Sequence, residues 1–217
     1  MVGVAPKSRL YIAKAFGADG KTDYGAIEKS IRYLEDKKVD VINMSFSSGY
    51  TSAKYRSLVW EAHQKGITLV CAAGNEGDMG DNTIGYPASY PETVAVSAVD
   101  INKNIADFSS RGKAAEICAA GIDVYSTYLN GGYATLSGTS MACPIITGAV
   151  AILQAKGYIR YSRRLTPDEI RLLLNIYTEN PGSKGRDKNY GYGIFSFGRI
   201  ASEEYIYSNI ARRRKIF

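Results

Sequence analysis

Gly138-Thr139-Ser140-Met141-Ala142-Cys143-Pro144 leads from a turn-prone glycine into an apolar run that carries Ile145, Ile146, Ala149, Val150, Ile152 and Leu153. So few polar positions predict a buried helix, ending near Lys156-Gly157. A serine at the start of such a helix sits beside unpaired backbone N–H groups and the positive end of the helix dipole. An anion forming on an attacked carbonyl would be stabilised there. Taken alone, Ser140 reads first as an N-cap, a position serine favours.

Outward from this stretch, strand and helix patterns alternate. Residues 9–15 alternate and are rich in Leu, Tyr and Ile, which predicts a strand, followed by a turn at Gly17-Ala18-Asp19-Gly20. A helix capped near Asp23 places Ile27, Ile31 and Leu34 on one face and ends at Glu35-Asp36-Lys37-Lys38. Buried strands are predicted over 39–45, 67–73 and 93–99, with a helix over 52–65 that Gly66 terminates. Residues 105–137 read as short strands with a hairpin turn at Gly131-Gly132. Thr166-Pro167-Asp168-Glu169 is a capping box opening a helix whose core face is Ile170, Leu173, Leu174 and Tyr177. Such alternation predicts a mainly parallel sheet with helices on both faces. One domain is expected over 1–202, then a basic tail over 203–217.

Three motifs resemble those of the subtilases, the subtilisin-like serine peptidases. Gly138 to Pro144 resembles their nucleophile motif. Val70-Cys71-Ala72-Ala73-Gly74-Asn75-Glu76-Gly77 resembles the strand and loop that carry the oxyanion asparagine. Asp40-Val41-Ile42-Asn43-Met44-Ser45-Phe46 resembles the strand flanking the substrate cleft. The resemblance runs from Gly3-Val4-Ala5-Pro6 to about Ala201, and Tyr190-Gly191-Tyr192-Gly193-Ile194 resembles the closing segment. It implies an α/β, subtilisin-like three-layer sandwich. In the family the Gly-Val-Ala-Pro stretch follows the helix that bears the catalytic histidine. The fold is therefore expected to be N-terminally truncated, with the triad aspartate and histidine segments absent from this chain.

The resemblance also implies roles. Ser140 is the nucleophile, which needs an adjacent base, and Asn75 with the Ser140 N–H forms the oxyanion hole. Gly20, Lys21 and Thr22 line one edge of a cleft that takes peptide as an added strand, and Ser45, Phe46 and Ser47 line the other. Ala72, Ala73, Gly74 and Gly85 wall the pocket for the side chain before the scissile bond. Glu76 stands at its rim, where it would favour basic side chains. Tyr24 and Ile27 form an outer apolar pocket. Phe46-Ser47-Ser48 stands where the family usually has Leu-Gly-Gly, a change expected to narrow the cleft. Each position has a plainer reading: small residues pack sheets, asparagine favours turns, and Tyr24 and Ile27 lie on a helix face. The sole histidine, His63, falls in the predicted helix 52–65 and outside any triad context. Asn75 separates the chain from the sedolisins, which use an aspartate there, and no lysine stands close enough to Ser140 in sequence for a Ser–Lys dyad.

Of the net charge of +6, Arg212, Arg213, Arg214 and Lys215 contribute four, so the basicity belongs largely to the tail. No nucleic-acid-binding motif accompanies it, and nucleic acid is not an expected partner. No run of transmembrane length and no signal peptide is read, and Cys71, Cys118 and Cys143 lack disulfide or zinc spacing. Free thiols point to a reducing, cytoplasmic compartment. No metal or cofactor is expected. The expected partners are a peptide or protein substrate and a polypeptide supplying the missing N-terminal segments. Three readings follow: a fragment or split peptidase chain, a catalytically inactive peptide-binding relative, and a noncatalytic interaction module.

Overall fold

The chain runs α1 (Tyr24–Asp36), β1 (Val41–Met44), α2 (Ala53–Gln64), β2 (Thr68–Ala72), β3 (Thr93–Val99), β4 (Ala115–Ala120), β5 (Val124–Thr127), β6 (Tyr133–Leu136), α3 (Thr139–Tyr161), α4 (Pro167–Ile176), β7 (Thr178–Glu179) and β8 (Ile194–Phe195). The structure is a computed structural model that describes residues 2–198. Six strands form one sheet in the order β1-β2-β3-β4-β8-β7, and β5 and β6 pair apart as an antiparallel hairpin. From β1 to β8 every neighbouring pair is parallel; only β7 runs against β8.

The two central strands are buried throughout, as a sheet covered on both faces requires. Their side chains alternate between two cores. Val70, Ala72, Val94 and Val96 join the core made by α3 and α4. Leu69, Cys71 and Ala95 join the core under α1 and α2. The expected layering of a mainly parallel sheet between helices is thus present.

Helix α3 is the central element, packing across β1, β2, β3 and β4. It is longer than its sequence suggests. Gly157 does not end it; the helix continues to Tyr161 and closes on Ser162 in the left-handed conformation, φ 53°. Gly157 lies inside because Leu165 occupies the space a side chain would need. At 23 residues, with an 18-residue window of mean hydropathy 1.3, α3 is also long and apolar enough to cross a bilayer, contrary to the reading that no such run exists. Here that apolarity is spent on the sheet: Ala142, Cys143, Ile146, Ala149, Val150 and Leu153 are all buried in the α3–α4 core.

Residues 9–15 form no strand. They have no regular secondary structure: among the described residues no backbone–backbone hydrogen bond involves residues 9–16, and Leu10 and Ile12 are 79% and 78% exposed. The alternation in the sequence is real, with Tyr11, Ala13 and Ala15 turned partly inward, but no neighbouring strand takes up the backbone groups. The basic tail 203–217 lies outside the described residues.

A buried charge ties α4 to the sheet. Glu116 of β4 is 2% exposed, and Arg171 grips it with both Nε and Nη2 while Nη1 donates to Pro91 O at 2.6 Å. Removing one partner of such a pair leaves an uncompensated buried charge. Arg171→Ala should therefore cost about 3–5 kcal/mol of stability in urea denaturation, and a loss below about 1 kcal/mol would show that Glu116 is resolvated or neutralised without it.

Candidate active site

In open α/β sheets, ligand crevices form outside the carboxyl ends of the strands. Here β1 delivers Ser45, Phe46 and Ser47 to that edge, and β2 delivers Ala73, Gly74 and Asn75. The first turn of α3 meets them. Its N-cap is Gly138, with φ +154° and ψ 160° and no side-chain cap, so Ser140 is the second residue of the helix and not its cap. A side chain at Gly138 would be strained by that φ and would begin 3.5 Å from Asn75 Nδ2.

Asn75 is fixed by Thr139, a residue the sequence reading passes over. The Thr139 N–H donates to Asn75 Oδ1 at 3.0 Å, and Thr139 Oγ1 lies 3.0 Å from the same oxygen. The Thr139 hydroxyl also accepts from Gly74 N–H at 3.2 Å. With Oδ1 committed as an acceptor, Asn75 Nδ2 is turned the other way and borders the space in front of Gly138 and Ser140. Among the described residues neither Asn75 Nδ2 nor the Ser140 N–H has a hydrogen-bond partner. Two preorganised donors at a helix N-terminus are what a developing oxyanion requires.

The Ser140 hydroxyl donates to Ser45 O at 3.0 Å, and the Ser45 hydroxyl donates back to Ser140 O at 3.0 Å. This reciprocal pair joins the sites from β1 and α3. Among the described residues no side-chain base hydrogen-bonds Ser140 Oγ. His63 lies on α2, where its Nδ1 is 3.2 Å from Glu92 O.

The residues read as pocket walls converge. Ala72 and Ala73 are buried, Gly85 N–H donates to Ala73 O at 3.1 Å, and Ser47 Oγ lies near the same carbonyl. Gly74 has φ +114°, and any side chain there would collide with Glu76 Oε2, Ser110 Oγ and Ser47 Oγ. The Glu76 carboxylate thus lies against the Gly74 backbone, held by Ser110, whose hydroxyl donates to Oε2 at 2.9 Å. Ser110 is fully buried and was not signalled by any motif.

The segment read as the opposite edge is a tight turn. Gly17 N–H donates to Lys21 O at 2.8 Å, Gly20 N–H to Gly17 O at 3.1 Å, and Thr22 Oγ1 to Ala15 O at 2.6 Å. The two edges are bridged by the Phe16 and Phe46 rings, 5.3 Å between centroids. Tyr24 and Ile27 pack against the α1–α2 core, with Tyr24 edge-on to Tyr55.

Cys143, three residues past Ser140, is fully buried with Sγ 3.3 Å from Val70 O. Burial pushes its thiol up to about 12 from 9.0, the opposite of what a nucleophilic or redox-active thiol needs. Burial likewise raises Cys71 and Cys118. Among the described residues no cluster of His, Cys, Asp and Glu could hold a metal ion.

Comparison with known proteins agrees in direction. The sequence profile of the Subtilase family matches residues 1–193. The chain is 45% identical over 197 residues to subtilisin DY of Bacillus licheniformis, covering 90% of this chain and 69% of that protein. It is 37% identical over 206 residues to the intracellular serine protease of Paenibacillus polymyxa, 92% of this chain and 63% of that protein. To the major intracellular serine protease of Bacillus subtilis (strain 168) it is 36% identical over 173 residues, 78% of this chain and 54% of that protein.

The buried thiols should resist Ellman's reagent in the folded protein at pH 8 and react, all three, only in denaturant. Because burial holds Cys143 protonated up to about 12, the unfolded chain sheds its thiol proton first as pH rises above 9.0. The stabilisation is whole below 9.0 and is lost as pH rises toward 12, so the urea midpoint should fall across that window. Fast labelling in native buffer would contradict the burial.

Proposed function

The chain belongs to the subtilase family, and from that premise we propose that it is the larger part of a serine endopeptidase domain with Ser140 as nucleophile. The observation that carries this reading is the arrangement of Thr139, Asn75 and Ser140. A peptide laid as a strand between residues 20–22 and 45–47 would bring its scissile carbonyl to Ser140. As Oγ bonds to the carbonyl carbon, the oxygen gains negative charge between Asn75 Nδ2 and the Ser140 N–H. Both donors are held by the protein before the substrate arrives, so the charge develops without reorganisation. In subtilisin, from which the magnitude is taken, loss of the asparagine donor costs about 10²–10³ in turnover.

The proton of Ser140 Oγ must go to a base. Among the described residues no side-chain base hydrogen-bonds it, and the one histidine of the sequence, His63 on α2, bonds to Glu92 O, so we propose that the base and its orienting carboxylate come from other polypeptide. The side chain before the scissile bond would enter between Ala72, Ala73, Gly74 and Gly85, where the Glu76 carboxylate selects lysine or arginine. Residues 24 and 27 would border a more distant apolar subsite. Free buried thiols fit a reducing compartment, in line with the intracellular proteases among the relatives. A second reading, a catalytically inactive peptide-binding relative, draws on the same lack of a base at Ser140.

Cleavage of chromogenic peptides separates the two. The purified chain alone should be slower than a complete subtilase by about 10⁶, the cost of losing the histidine in subtilisin. Adding a polypeptide with Asp-Gly and His-Gly-Thr segments should restore cleavage, and Ser140→Ala should abolish it. No cleavage in that mixture would favour the inactive relative; fast cleavage by the chain alone would place a base within these residues.

Specificity is tested in the same mixture. Glu76→Gln should lower the preference for lysine over leucine before the scissile bond by roughly tenfold. An unchanged ratio would take Glu76 out of the pocket's chemistry.

A further inference from the structure

Pro144 creates a need inside the active helix. It has no N–H, so the Ser140 carbonyl, four residues back, loses the donor that would otherwise close the turn. Ser45 Oγ meets that need by donating to Ser140 O at 3.0 Å. A hydroxyl has one proton, and this one is thereby committed. Ser45 Oγ then accepts from Asn43 Nδ2 at 2.9 Å. Asn43 Oδ1 in turn accepts from Thr147 Oγ1 at 2.8 Å, across 104 residues of sequence.

The three bonds run in one direction: Thr147 O–H to Asn43 C=O, Asn43 NH₂ to Ser45 Oγ, Ser45 O–H to Ser140 C=O. Each donor polarises the next, which strengthens the chain as a whole. Asn43 lies in β1 and Thr147 in α3, so the relay also fixes how the strand meets the helix at the nucleophile. Ser140 is then clamped on both sides. Its preceding residue, Thr139, is held by Asn75, and its own carbonyl is held by Ser45.

We propose that Asn43 and Thr147 are positioning residues that, through Ser45, hold the Ser140 backbone where its N–H and Oγ can act. The proposal rests on the peptidase reading only for its catalytic consequence; the relay itself is a structural claim. Thr147 has a competing acceptor, Cys143 O at 3.1 Å, and a proton placed there would break the relay at its first bond.

The test uses the full chain and reads the Ser140 carbonyl directly. Ser140-Met141 is the only Ser-Met step in the sequence, so carbonyl-¹³C serine with ¹⁵N methionine leaves one signal in an HNCO spectrum. Thr147→Val, close in shape, should move that signal upfield, and Thr147→Ser should bring it back. Asn43→Asp, which keeps an acceptor for Thr147 but has no donor for Ser45, should move it too. In the mixture with the complementing polypeptide, fluorophosphonate labelling of Ser140 should slow by about tenfold in Thr147→Val, up to about a hundredfold, and recover in Thr147→Ser. A carbonyl signal that stays in place in Thr147→Val or Asn43→Asp, or that serine at 147 does not restore, overturns the relay. If the relay signals behave as stated but the unsubstituted chain is never labelled, the peptidase reading fails and the positioning of Ser140 stands. If labelling does not slow when the carbonyl signal moves, the catalytic part of the proposal is overturned.

Discussion

The hydrogen bonds from Thr139 to the Asn75 side-chain oxygen tie the first turn of α3 to the loop that leaves β2. Everything else at the site depends on that tie. Helix α3 spans the sheet and is held along its length by apolar packing, which sets where its axis lies but says little about how its first turn is rotated. Hydrophobic contact is non-directional; the orientation of two N–H donors is not. The Asn75 clamp supplies the direction, and it does so with groups that the helix end would otherwise leave unpaired.

The polar accounting at the start of α3 explains why the site has the residues it has. Gly138 supplies, next to the Asn75 amide, a backbone conformation that side chains rarely adopt. Pro144 withholds an N–H and so turns the Ser140 carbonyl outward to β1. Ser45 answers from the strand with its hydroxyl and its carbonyl together. The site is thus a junction between β1, the β2 loop and α3, each contributing a fixed polar group. Burial of Cys143, three residues further along α3, pushes its thiol to about 12 and keeps it neutral.

Much of this was legible in the sequence, and the limits have physical causes. The strands over 68–72 and 93–99 declare themselves because burial on both faces demands continuous apolar runs. The capping box at Thr166 to Glu169 forms as written, with both of its hydrogen bonds in place. Residues 9–15 mislead because alternation reports which way side chains face, while a strand needs a neighbour for its backbone. The end of α3 was misplaced because Gly157 reads as a stop, although it is there to admit Leu165. Ser140 and Asn75 were found through the resemblance of their motifs. Thr139, Ser110 and Thr147 were not, because an ordinary hydroxyl acquires its role only when the fold brings a distant partner to it.

Binding of a peptide boronic acid tests the central claim, that Asn75 and the Ser140 N–H are held ready for a tetrahedral oxyanion at Ser140. The boron would take the place of the attacked carbonyl carbon. The account predicts a ¹¹B signal that moves to the tetrahedral range on addition of the chain with its complementing polypeptide. It also predicts that the Ser140 N–H and Asn75 Nδ2 proton signals both shift downfield, and that Ser140→Ala loses all three changes. A boron that turns tetrahedral while either donor's signal stays where it was would contradict the account.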